Sequence, residues 1–199
     1  MRGSPSVLRS HAMGAPARKQ ATYADLVSLP EGLIGEILDG ELVAQPRPAA
    51  RHQRVASRMG YRLGAFDSDG GGDEPGGWWL LDEPELHLGG HVLVPDLAGW
   101  RRERMPVIPD VAAFELVPDW VCEVLSASTS ARDRTQKLRI YLEVGARSAW
   151  LIDPMAATLE AFRAQEGAWL RVGAWAGDEA ARAEPFDAIA LGLSELWLR

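Results

Sequence analysis

Apolar and polar positions recur along this chain at spacings that lay out its elements before any single residue is weighed. Between Thr22 and Pro30, Tyr23, Leu26, Val27 and Leu29 fall at helical spacing behind a threonine able to cap them, which predicts a short helix. Glu36-Ile37-Leu38 and Glu41-Leu42-Val43 flank Asp39-Gly40, a dipeptide that tolerates the left-handed backbone of a two-residue hairpin turn. From about Ala49 to Phe66, Val55, Met59, Leu63 and Phe66 return every three or four residues, as one core-facing side of a helix would. A Gly-rich acidic stretch from Asp67 to Gly77 reads as a flexible surface loop, because it lacks the Gly-Lys-Ser/Thr ending of a phosphate loop and an oxygen ligand at Gly71.

Strand-like runs follow at Trp78 to Leu81, Glu85 to Leu88 and Val92 to Trp100. Trp120 to Leu125 is apolar at consecutive positions except Glu123, as expected of a strand covered on both faces. Ser128, Thr129 or Ser130 can cap a helix that runs through Lys137 and Tyr141 to Val144 and stops at Gly145. Strands at Ala149 to Ile152, Thr158 to Arg163 and Trp169 to Ala174 complete the pattern, the last two joined by a Glu166-Gly167 turn. This order predicts an α/β domain of the α+β type, a mixed sheet flanked by helices, with too few alternating units for a barrel or a doubly wound fold.

A length of 199 residues suits one domain. Residues 1–20 carry no periodicity and begin Met1-Arg2-Gly3-Ser4, like an expression tag, so the domain is expected over 21–199. With 47% hydrophobic and 25% charged residues the composition is globular. No apolar run approaches the ~20 residues that span a bilayer, so no membrane role is expected. Cys122 is the single cysteine and reads as a small buried hydrophobe; with no secretory apolar core at the start, the expectation is a cytoplasmic protein.

A net charge of −7 argues against coating nucleic acid nonspecifically, which needs many cationic contacts to phosphates. It leaves room for a local basic site, because charges beyond ~8 Å are largely screened at physiological salt. Arg51, Arg54, Arg58 and Arg62 recur at helical spacing, and Arg132, Arg134 and Arg139 surround Lys137; a solvated helix face is the better reading of the first set. Eight tryptophans suggest base stacking, yet Trp120 and Trp150 lie in strands expected to be buried.

After position 19, Lys137 is the only lysine. Together with Asp96 of Pro95-Asp96 and with Glu123 it makes the minimum kit for metal-assisted phosphodiester cleavage: two carboxylates for a divalent cation and an ammonium for phosphoryl oxygens. Pro-Asp occurs at Asp96, Asp110 and Asp119. Asp119 would sit ~13 Å from Glu123 along one strand, whereas ligands of one Mg²⁺ lie ~2.1 Å from it. Asp110 falls in a Pro-rich connection, which leaves Asp96 as the partner. An unpaired Glu123 among apolar neighbours would cost several kcal/mol, so a metal ion, Lys137 or an arginine must meet it. Lys137 could equally form an i, i+4 pair with Asp133. His52, at the start of a basic helix, could orient water or contact phosphate, or be an ordinary helix-start residue. Ser126 with His87 or His91 lacks the nucleophile-elbow motif of a serine hydrolase. A two-carboxylate glycosidase leaves Lys137 unexplained.

Pro118-Asp119-Trp120-Val121-Cys122-Glu123-Val124-Leu125-Ser126, followed by Ser128-Thr129, Asp133, Lys137, Tyr141, Gly145 and Trp150-Leu151-Ile152-Asp153-Pro154, resembles the Uma family of putative restriction endonucleases, within the PD-(D/E)XK nuclease superfamily. The likeness also takes in Thr22-Tyr23, Glu36 to Leu42, His52 and Pro95-Asp96, and so extends over roughly 21–198. It implies a restriction-endonuclease-like fold, Asp96 and Glu123 as ligands of Mg²⁺ or Mn²⁺, and Glu36 as a third carboxylate near the site. The lysine that the superfamily pattern carries two residues after the glutamate is Leu125 in this chain, and the resemblance implies that Lys137 of the next helix takes its place. Nucleic acid, preferably DNA, is then the expected partner, and a homodimer the expected assembly. A noncatalytic binding or regulatory module on the same fold is the alternative, favoured by Leu125 and by the net negative charge.

Overall fold

The computed structural model describes residues 20–70 and 75–198; most of the expected N-terminal tag and four residues of the expected acidic loop lie outside them. Thr22 caps α1 (Tyr23–Val27) through a reciprocal pair with Asp25, as its position in the sequence predicts. The hairpin forms with β1 (Leu33–Leu38) paired antiparallel to β2 (Glu41–Pro46). Asp39 and Gly40 turn it with φ of +52° and +76°, the left-handed pair that such a turn requires. Next comes α2 (Ala50–Leu63), extended by a 3₁₀ turn over Gly64–Phe66, and Val55, Met59, Leu63 and Phe66 are its buried side.

The expected strand from 92 to 100 is broken. Short β4 (Leu86–Leu88) and β5 (His91–Leu93) join the hairpin in a four-stranded sheet of order β2-β1-β5-β4. The chain then passes Val94-Pro95-Asp96 and enters β6 (Leu97–Arg101), which belongs to a second sheet. A proline has no N–H to give to a ladder, and the break falls where one stands. The larger sheet also holds β3 (Trp78–Asp82), β7 (Trp120–Val124), β8 (Ser148–Asp153), β9 (Thr158–Gln165) and β10 (Ala168–Ala176), in the order β10-β9-β8-β7-β6-β3. Only β7 and β8 run parallel; the other neighbours are antiparallel, so the sheet is mixed.

Between β7 and β8 lies α3 (Ser130–Arg132), one π-helical turn over Asp133–Lys137, and α4 (Leu138–Val144), which Gly145 ends at φ +100°. The sequence predicts a continuous helix there; the π turn is an irregularity inside it. A two-stranded ribbon of β11 (Ala180–Ala181) and β12 (Leu191–Gly192) follows near the C-terminus.

Strand alternation splits the core into two layers. Trp120, Cys122 and Val124 of β7 pack with Val55, Met59 and Leu63 of α2 and with Phe186. Trp120 meets Trp150 and Phe186 edge to face, at 5.2 and 4.9 Å between ring centres. Val121 and Leu125 pack on the other side with Leu138 and Tyr141 of the crossover and with Leu38 and Leu93 of the small sheet. The smaller sheet and α4 therefore cover one face of the larger sheet, and Glu123 belongs to that covered face by strand alternation. Cys122, pointing to the other layer, is fully buried as expected. No helix among the described residues is long and apolar enough to cross a membrane.

Candidate active site

Asp96 stands where the chain changes sheets. Leu97 pairs with Cys122, so the preceding residue comes alongside the end of β7, and Asp96 Oδ2 accepts the Val124 N–H at 2.7 Å. Glu123 meets the ammonium of Lys137 at 2.7 Å and accepts the Tyr141 hydroxyl at 2.5 Å, both on Oε1. Lys137 Nζ also lies 2.9 Å from Glu36 Oε1 on β1, and the same oxygen accepts the Val94 N–H at 2.9 Å. One lysine thus ties a carboxylate of each sheet. The Lys137, Glu36 and Glu123 side chains are only 3%, 2% and 5% exposed.

His52, in the first turn of α2, lies 3.2 Å from Asp96 Oδ1 through Nε2, while its buried Nδ1 has no hydrogen-bond partner. The residue in the N-cap position of that helix is Ala49, whose side chain cannot cap it. Asp96, His52, Glu123, Lys137 and Asp133 line one cavity of about 230 Å³, whose rim includes Arg47 and the Ser126–Thr129 turn. Glu36 sits behind Lys137.

The π turn explains how the helix presents both Asp133 and Lys137. The Leu138 N–H reaches back five residues to the Asp133 carbonyl, so the turn holds one residue more than an α-turn would. Both side chains are buried and line the cavity.

Charge in this cluster is unbalanced. Glu36, Asp96, Glu123 and Asp133 share the region with one ammonium. Burial works against charge on Lys137, but the fields of Glu123, Glu36 and Asp133 outweigh it and raise its pKa, so it stays protonated. Burial pushes the Glu123 carboxyl well up; Lys137 opposes this, and Asp133, Asp96 and Glu36 reinforce it. Asp133 is raised mainly by burial, against Lys137 and a hydrogen bond from Thr129. For His52 burial favours the neutral ring, but its bond to Asp96 and that carboxylate's charge prevail and the pKa rises. The cluster lacks positive charge, which is the electrostatic condition a divalent cation would relieve.

The donor chemistry fits Mg²⁺ or Mn²⁺. Mg²⁺ takes oxygen ligands and is typically held by one or two protein carboxylates, with waters and substrate phosphate completing its shell. Asp96 and Glu123 reach the same cavity, while no group of three or more His, Cys, Asp or Glu residues forms a ready cage among the described residues.

The residues singled out from sequence therefore come together: Lys137 with Glu36 and Glu123 directly, Asp96 with His52 beside them. Lys137 spends its ammonium on Glu123 and Glu36 rather than in a simple pair with Asp133. Glu123 is met by that lysine and not by an arginine. Asp119 is engaged elsewhere, accepting the Arg101 N–H at 2.9 Å and facing Arg104 at 2.8 Å, and Asp110 is exposed. His87 bonds Glu85 and His91 accepts the Asp39 N–H, while Ser126 contacts Ser128 and Thr129. Neither histidine partners that serine. Sequence reasoning did not place Asp133 and Tyr141 among the functional candidates; their shared spacing with Lys137 was the available signal.

A family model described as "Putative restriction endonuclease" (Uma2) matches residues 21–194. The fold is similar to that in the crystal structure of a putative nuclease belonging to DUF820 from Anabaena variabilis, with a TM-score of 0.70 and 22% sequence identity over 88% of this chain and 97% of that one. A search of curated proteins found no match.

Proposed function

We propose, from the premise that this chain belongs to the Uma2 family described as "Putative restriction endonuclease", that it is a metal-dependent endonuclease hydrolysing phosphodiester bonds in nucleic acid. The observation that carries the reading is the meeting of Lys137 with Glu36 and Glu123, next to Asp96, at one cavity. Asp96, Glu123 and the Val124 carbonyl are the groups that would hold Mg²⁺ or Mn²⁺. Bound there, the ion supplies Lewis-acid polarisation of the phosphate and lowers the pKa of water. Lys137 neutralises charge that develops on phosphoryl oxygens, an effect that is strong in a site largely closed to water. Tyr141 and Glu36 hold Glu123 and Lys137 in position. His52, bonded through Nε2 to Asp96, orients that carboxylate.

DNA is the preferred substrate, and a homodimer the preferred assembly, because cutting a duplex needs two sites. The domain is taken as 21–199 and the compartment as the cytoplasm.

Asp96→Asn and Glu123→Gln are expected to abolish Mn²⁺-dependent cleavage of plasmid DNA while leaving the far-ultraviolet circular dichroism unchanged. Cleavage that survives both changes refutes the assignment. A second reading, a noncatalytic nuclease-fold module, is favoured by one observation: the Lys137 ammonium is engaged by both Glu36 and Glu123. Calorimetric titration with Mn²⁺ separates the two, since heat of binding that disappears in Asp96→Asn supports the enzyme.

A further inference from the structure

Among the described residues most arginines face a nearby acid. Arg58 and Arg62, at the far end of α2, face Glu195 at 2.7 and 3.7 Å. Arg134 is held by Glu160, Arg139 by Asp39 and Glu143, and Arg163 by Glu184. Arg47, Arg54 and Arg132 have no ion-pair partner among the described residues, and Arg51 reaches only the Leu198 carbonyl at 3.5 Å. Arg101 and Arg182, also without a carboxylate, are engaged by the Trp78 ring and by the carbonyls of Asp187 and Ala188.

Of these four without a carboxylate partner, Arg47 lines the cavity, and the other three stand within two residues in sequence of a side chain that does. Arg51 and Arg54 flank His52 in sequence in the opening turns of α2, whose first N–H groups have no side-chain cap, and Arg132 directly precedes Asp133 in the crossover. The basic strip along α2 is thus divided: Arg58 and Arg62 face Glu195, while Arg51 and Arg54, nearer His52, have no carboxylate partner among the described residues. On a chain of net charge −7, this is where a polyanion meets positive charge without first displacing an acid.

We propose that Arg47, Arg51, Arg54 and Arg132 form a phosphate track that carries a nucleic-acid strand across the cavity mouth and sets the scissile phosphate over Asp96 and Glu123. This rests on the nuclease reading above. The contacts are to the backbone, so they position the strand without reading its sequence.

The test is fluorescence anisotropy of a fluorescein-labelled oligonucleotide of about 20 nucleotides, single-stranded and as a duplex, titrated with the full chain in EDTA over a range of salt concentrations. Each lost phosphate contact lowers the slope of log K against log salt by about 0.7 for a single strand and 0.9 for a duplex. The combined variant Arg47→Gln, Arg51→Gln, Arg54→Gln, Arg132→Gln is expected to lower the slope by roughly 2 to 3.5 and to weaken binding at least about tenfold at 0.1 M salt. Arg163→Gln, which breaks a distant pair with Glu184, should leave both unchanged. A combined variant that folds, by circular dichroism, yet keeps the wild-type slope overturns the track alone. Should the combined variant not fold, Arg47→Gln and Arg54→Gln singly carry the same test, each expected to remove about one contact. Absence of salt-dependent binding by the wild-type chain overturns the track and the nuclease reading together.

Discussion

Lys137 holds the most consequential position of any single residue, because it is a buried cation flanked by two buried acids. Removing one partner of such a set leaves uncompensated charge and typically costs about 3–5 kcal/mol. Lys137→Met is therefore expected to lower the urea midpoint sharply, while Tyr141→Phe, which removes one hydroxyl donated to Glu123, should cost about 1.5–3 kcal/mol. A Lys137→Met variant as stable as wild type would mean that the cluster carries no net charge on the carboxylates it faces. At this scale the chain was largely legible from its sequence: a glutamate among Val121, Cys122, Val124 and Leu125 demanded a cation, and the only lysine after position 19 was the natural candidate. Asp133 was seen only as a neighbour of Lys137, since its burial depends on a backbone irregularity that residue spacing does not announce.

The π turn over Asp133–Lys137 is that irregularity, and it is an element-level device. Deleting Thr135, an exposed residue within it, should let the segment relax to a regular α-helix and swing either Asp133 or Lys137 by about 100° off the cavity. The expected result is near-normal helix content with loss of Mn²⁺ binding by calorimetry; unaltered metal binding would show that the extra residue is incidental. Hairpin, α2 and the end of the helix after β7 were readable because Asp39-Gly40, the Val55-Met59-Leu63 spacing and Gly145 each carry a local physical cause. The division of the 92–100 run was not. It depends on which sheet each half joins, and only Pro95 hinted at it.

Across the whole molecule, ion pairs bind the crossover to the sheet edge. Glu160 on β9 faces Arg134 at 2.5 Å and Arg171 of β10 at 3.1 Å. Burial raises its carboxyl, but the bonds from Arg134 and Arg171 outweigh this and hold it below its usual 4.5. A lowered folded pKa stabilises above the unfolded value, and the gain is lost as pH falls through the folded one. Glu160→Gln should therefore cost under about 1 kcal/mol at pH 7, given its partial exposure, and the gap between variant and wild type should close below about pH 4.5. A gap that stays constant from pH 7 to 3 would assign the effect to packing.

Because Glu36 belongs to the small sheet and Glu123 to the large one, the lysine that bridges them also fastens the two sheets to each other. During synthesis the first hairpin emerges long before the crossover that bears the ammonium. Whatever chemistry the cavity performs is thus withheld from a nascent or half-assembled polypeptide and arises only on closure.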